Sequence, residues 1–158
     1  MIEHVTGGVI IYVDGSSRGN PGPAGIGLAV FSTEDQTKPI KEISKYIGIT
    51  TNNIAEYEAV INALKWIAES NVESVVMKLD SELIYNQIIG EYRTKSIRTI
   101  SQLKRVQMLM AQIKNLSICL IPRNENKLAN RLARRASKAR KFSKKSFKQE
   151  ELIKEKEN

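Results

Sequence analysis

Three carboxylates in this chain stand where a folded protein ordinarily places apolar side chains. Asp14 ends the apolar run "VIIYV". Because side chains alternate across a strand, it shares a face with Ile10 and Tyr12, while Ile11 and Val13 share the other. Glu56 recurs at helical spacing with Val60, Ala63 and Ile67, an apolar line; Glu58 recurs with Asn62, Lys65 and Glu69 and reads as the solvated acid. Asp80 closes "SVVMKLD", at a strand end that in such sheets tends to open onto a crevice. Singly, each acid has an ordinary explanation: Asp14 can start a turn, Glu56 suits a helix N-terminus, and Asp80 can cap the helix that follows. Burying an unpaired charge is costly, so the three together need a common partner. With a single cysteine, Cys119, and a single histidine, His4, the set favours an oxygen-ligand site for a hard cation such as Mg²⁺ or Mn²⁺.

The elements that must position these acids follow from periodicity. Val9 to Ser17, Ile26 to Ser32 and Ile40 to Ile47 read as three strands joined by short polar or glycine-rich links, an antiparallel meander. Asn53 to Glu69 switches to helical spacing, with Ile54, Tyr57, Ile61, Leu64 and Ala68 as its stripe. Val75 to Asp80 is a strand, Glu82 to Ile89 a short helix ended by Gly90, Ile97 to Lys114 a longer helix, Ser117 to Pro122 a last strand and Asn126 to Ala139 a last helix. Three neighbouring strands followed by alternating helices and strands predict an α/β fold, a mixed sheet with helices packed on it. Cys119, within the apolar run Leu116 to Ile121, reads as a small buried residue, and Trp66 and Tyr57 read as core.

At 158 residues and 41% hydrophobic content the chain has the size of one domain. The expected division is a domain over 1–140 and a charged C-terminal tail over 141–158. No apolar stretch approaches the roughly 18 residues of a membrane span, and Met1 to Gly8 lacks the regions of a signal peptide. The expectation is a cytoplasmic, monomeric protein without a membrane partner. The formal charge is +8, and nine of the 25 basic residues fall between Arg131 and Lys148, a stretch without an acid. Such a block can be a solvated face or a counter-surface for a phosphate backbone.

The stretches "YVDGSSRGNPGPAGIG", "TNNIAEYEAVINAL", "LDSELIYNQIIGEY" and "IPRNENKLANRLARRA" occur in the order and spacing of the type 1 ribonuclease H family, in its compact form without the long basic insertion. Together they cover about residues 9–140. The resemblance implies a five-stranded mixed sheet in the order 3-2-1-4-5, the first three strands antiparallel and helices on both faces. It implies endonucleolytic cleavage of the RNA strand of RNA/DNA hybrids by two divalent ions about 4 Å apart, bridged by Asp14. Of the family's four acids, three positions are filled by Asp14, Glu56 and Asp80. The fourth carries Asn130, whose amide oxygen can coordinate a cation but lacks the charge that holds a second ion.

Three readings of Asn130 stay open: a natural enzyme with weakened or Mn²⁺-dependent activity, an engineered inactive variant, and a silent hybrid-binding module. The resemblance further implies that Asn20, Asn52 and Asn53 meet the minor groove, where 2′-hydroxyls mark the RNA strand, and that Thr51 belongs to a phosphate pocket on the DNA strand. On their residue types alone, Asn20 is a turn residue and Thr51 to Asn53 a helix-capping cluster. Gly15 is expected to let the substrate backbone approach Asp14. Ser96 replaces a common asparagine of the phosphate pocket, which makes double-stranded RNA a plausible side substrate. In place of a histidine on the loop before the last helix, Arg123 is the group expected to approach the phosphate. Lys138 to Lys148 is expected to take over part of the grip supplied elsewhere by the basic insertion.

Overall fold

The computed structural model describes residues 7–139. Expectations for His4 and for the tail after residue 139 lie outside these residues. Three antiparallel strands come first: β1 (Gly8–Ser17), β2 (Gly22–Ser32) and β3 (Lys41–Thr50). Then follow α1 (Asn52–Glu69), β4 (Ser74–Leu79), α2 (Glu82–Ile88), α3 (Ile97–Ala111) and β5 (Leu116–Leu120). A 3₁₀ turn (Arg123–Glu125) leads into α4, over 127–139. The sheet order is β3-β2-β1-β4-β5, with β4 parallel to β1 and β5 parallel to β4, as expected. Parallel neighbours need a crossover, and α1 supplies the first.

The two faces of the sheet are built differently. On one, Ile11 and Val13 of β1, Ile26 and Leu28 of β2, and Met77 of β4 are buried against Tyr57, Ile61 and Leu64 of α1, with Ile84 and Val106 closing the cluster. Each such side chain contributes about 1.5–3 kcal/mol on burial. On the other face β2 shows Gly25 and Gly27, and α4 lies directly on their backbone. A Cβ at Gly27 would stand 2.2 Å from the Ala129 carbonyl oxygen and 2.6 Å from the Ala133 nitrogen; one at Gly25 would stand 2.5 Å from the Ala136 Cβ. The Ser44 hydroxyl donates to the Leu132 carbonyl at 2.7 Å, tying β3 to the same helix.

This packing explains why β2 begins at Gly22 and not at Ile26. Its glycines read locally as a bend, but α4 needs them in an extended strand. Pro23 is accommodated beside a bulge at Ala24/Gly25. β3 runs past Ile47 to Thr50 because Gly48 takes a positive φ of 92° and carries the strand onward. Cys119 corrects the expectation of burial: β5 is an edge strand and the thiol is exposed. Glu58 is also more than a solvated acid. It accepts a hydrogen bond from Gln102 Nε2 and pairs with Arg105 at 3.7 Å, joining α1 to α3. Tyr57 is buried as expected, and its hydroxyl donates to Gln87 Oε1 at 2.5 Å. Trp66 packs half-buried against the core.

Gly27→Ala pushes α4 off the β2 backbone and is expected to cost about 1–3 kcal/mol. Urea unfolding checks this; an unchanged midpoint at unchanged m-value would mean that α4 is not seated on that backbone.

Candidate active site

Asp14 and Asp80 are brought together by strand register. β1 and β4 run parallel with Tyr12 opposite Lys78, and two residues further along, just past the last β1–β4 pair, Asp14 and Asp80 emerge side by side. Asp80 directly follows β4, and Ser81 caps α2, its hydroxyl accepting from the Ile84 N–H at 3.2 Å. Glu56 joins them from α1 because that helix packs onto Gly15. A Cβ there would lie 2.2 Å from the Ala55 carbonyl and 2.4 Å from the Glu56 nitrogen. The close approach that Gly15 permits within the fold is that of α1. One carboxylate oxygen from each of Asp14, Glu56 and Asp80 lies within 4.8 Å of the others.

The acids hold one another in an uneasy state. The Asp14 carboxyl is pushed up to about 8, first by burial and then by the charges of Asp80 and Glu56; Arg123 and the Gly15 backbone N–H act the other way. Glu56 is pushed up to about 7 by burial, a hydrogen bond from Ser81 opposes the rise, Asp80 adds to it and Arg123 opposes it. Arg123 thus lies close enough to act on both carboxyls. A set of hard oxygen donors whose charges repel is what a divalent cation relieves, so the residues present fit such an ion.

Asn126 is the residue that sequence reading missed. It is 1% exposed, and its Nδ2 donates to the Val13 carbonyl at 2.9 Å and to Asp80 Oδ2 at 2.8 Å. It clamps the β1 backbone at Val13 and the Asp80 side chain together. Its Oδ1 has no hydrogen-bond partner among the described residues. The only available signal was an asparagine at the start of the last helix, where capping explains it equally well; the Asn126 carbonyl does accept from the Asn130 N–H at 3.0 Å.

Asn130 stands one turn into α4, half-buried, with Nδ2 3.5 Å from the Arg123 carbonyl oxygen. Thr51 is the N-cap of α1, accepting from the Ile54 N–H at 3.3 Å, and Asn20 Oδ1 accepts from the Asn52 N–H at 3.1 Å. The β1–β2 turn and the start of α1 are thereby joined, with Asn52 and Asn53 exposed beside them. Ser96 opens α3, exposed and making no capping bond with its side chain. A depression of about 400 Å³, lined by Thr50, Ile54, Arg98 and Ser101, separates the starts of α1 and α3.

Comparison with known proteins places this arrangement. The family model described as Reverse transcriptase-like matches residues 12–136. The chain is 35% identical over 130 residues to Ribonuclease HI of Halobacterium salinarum, covering 82% of this chain and 64% of that protein. The crystal structure of RNase H1 from that organism superposes with a TM-score of 0.77 at 35% identity, over 82% of this chain and 96% of that one. The chain belongs to the type 1 ribonuclease H family. LC11-RNase H1 in complex with an RNA/DNA hybrid, a family structure 38% identical, superposes with a TM-score of 0.74 over 83% of this chain and 97% of that one. The "Bifunctional protein Rv2228c" of Mycobacterium tuberculosis is 35% identical over 131 residues, which are 83% of this chain and 36% of that protein. The chain thus spans about a third of the length of that relative.

Two outcomes follow from the site. Asp14 is protonated in the folded protein up to about 8, against 3.8 as its ordinary value, so its contribution to stability is intact below about 4 and is lost as pH rises through about 8. The metal-free protein is expected to melt lower at pH 8 than at pH 5. Asp14→Asn should flatten that profile and melt about 5 °C above the parent at pH 8. Calorimetry in chelator decides the matter: parallel profiles for the two proteins would show that Asp14 is not under this strain. Asn126→Ala leaves the Val13 carbonyl and Asp80 without their donor and is expected to cost about 1–3 kcal/mol. It should also weaken Mg²⁺ binding in isothermal titration; unaltered binding would mean that Asp80 keeps its place unaided.

Proposed function

We propose that the chain is an endonuclease that hydrolyses the RNA strand of RNA/DNA hybrids, using Mg²⁺ or Mn²⁺ at Asp14, Glu56, Asp80 and Asn130. The observation that carries this reading is the convergence of three carboxylates, from β1, α1 and the end of β4, within 4.8 Å in a ribonuclease H fold. Two ions bound there with substrate would supply the charge that activates the attacking water and stabilises the departing 3′-oxygen. The water oxygen bonds to phosphorus as the bond to the 3′-oxygen breaks, leaving a 5′-phosphate and a 3′-hydroxyl.

The chain's own side chains do the positioning. Asp14, on a rigid strand between Asp80 and Glu56, faces the reacting phosphate. Asn126 fixes the rotation of Asp80, and Ser81 that of Glu56. Arg123 brings positive charge toward the phosphate. Asn20, Asn52 and Asn53, joined by the Asn20–Asn52 hydrogen bond, are placed to read 2′-hydroxyls. Thr51 and the depression beside it suit a phosphate of the DNA strand, and Ser96, exposed at the start of α3, adds no amide donor there, which leaves room for double-stranded RNA as a side substrate. The reading carries with it a monomer acting in the cytoplasm.

A second reading, a hybrid-binding module without chemistry, is favoured by Asn130, which brings no charge to the site. Cleavage of an end-labelled hybrid across Mg²⁺ and Mn²⁺ concentrations separates the two. The chain is expected to cut, Asn130→Asp to reach half-maximal rate at about tenfold lower metal, and Asp14→Asn to lose at least about a thousandfold, roughly 4 kcal/mol. Hybrid bound without product at any metal concentration would leave the module. Cutting by Asn130→Asp alone would identify a nuclease disabled at that one position.

A further inference from the structure

The outer face of α4 carries a row of cations that the carboxylate site does not use. Lys127, Arg131, Arg134, Arg135 and Lys138 are all exposed, and with Arg123 they line a groove of about 860 Å³ that has no acidic residue in its wall. None of the six has an ion-pair partner within 4.0 Å among the described residues, where the pair found is Arg105–Glu58. The opposite face of the helix explains their alignment. Ala129, Leu132, Ala133 and Ala136 are buried against the sheet, so the charged residues of α4 are turned outward along the groove.

A concave row of unpaired like charges is electrostatically unfavourable by itself and calls for a polyanion. From Lys127 to Lys138 the helix rises about 16 Å, which matches the axial rise of roughly five nucleotides of one strand. The groove is continuous with the carboxylate site. Arg123 lies in its wall and also acts on Asp14 and Glu56, and Asn130 lies between the two. A strand with one phosphate at the carboxylates would have its neighbouring phosphates within reach of these cations, whereas an acidic protein partner would gain nothing from that continuity.

We propose that the groove along α4 binds the nucleic-acid backbone flanking the cleavage point, as an extension of the substrate site that rests on the function proposed above. It sets affinity and salt dependence and carries no sequence information. Fluorescence anisotropy with a labelled RNA/DNA hybrid in chelator, over a series of salt concentrations, tests it on the full chain. The triple variant Arg131→Gln, Arg134→Gln, Lys138→Gln is compared with Lys41→Gln, Lys65→Gln, Lys114→Gln, which removes the same charge elsewhere. Circular dichroism confirms that both are folded.

The α4 variant is expected to bind about 10–100-fold more weakly at low salt, with a slope of log affinity against log salt reduced by about 2–3; the control should keep the parental slope. Equal slopes for the parent and the α4 variant, or equal losses in both variants, would overturn the groove. Cleavage by the parent in either case would leave the proposed activity standing. Conversely, a reduced slope in the α4 variant together with a parent that never cuts would support the groove and remove the nuclease reading.

Discussion

Three carboxyl groups held within 4.8 Å of one another, two of them pushed up to about 8 and about 7, form a cluster that the rest of the fold must hold against its own electrostatics. No contact within the trio is attractive, so its geometry has to be imposed from outside. The parallel register of β1 and β4 sets Asp14 beside Asp80; Gly15 admits α1 and with it Glu56; Asn126 ties Asp80 to β1. Each support is backbone geometry or a buried hydrogen bond, which costs no reorganisation when a cation or phosphate arrives. The strain of the cluster is thereby available as binding affinity for positive charge.

The same principle governs the other face. Packing α4 on glycine backbone brings its outer cations close to the sheet and to the carboxylate end, whereas a helix seated on larger side chains would stand further off. The short turn from β5 to α4 adds a second economy of space. It places Arg123 near Asp14 and Glu56, Asn126 in the core and Asn130 between site and groove within eight residues. A negative pocket and a positive groove thus meet along one short segment.

Much of this was legible in the sequence wherever local periodicity and tertiary need agree. The sheet order followed from the motifs, and Asp14, Glu56 and Asp80 stood out because an acid interrupts an apolar pattern. What was not legible depended on partners distant in the chain. Gly25 looks like part of a bend, and the need for glycine at Gly27 goes unseen, until α4, about a hundred residues on, is laid over them. Glu58 looks solvated until Gln102 of α3 arrives, and Cys119 looks buried until β5 proves to be an edge. Asn126 was hidden for a different reason: a capping asparagine and a buried clamp are the same residue type, and only its two acceptors, Val13 and Asp80, tell them apart.

Charge counting gives Asn130 its meaning under the proposed reading. Asp14, Glu56 and Asp80 offer three negative charges when ionised, which more than match one divalent cation and fall short of two. A fourth acid at position 130 would close that gap within the protein; the amide there cannot. The scissile phosphate brings one further negative charge, so the balance for two ions is reached only when substrate lies at the carboxylates. Assembly of the working site then depends on how firmly the nucleic acid is held nearby. A chain that gives up its fourth acid therefore has the greater need of a separate grip on the backbone, and the cations that face outward from α4 lie directly alongside Asn130.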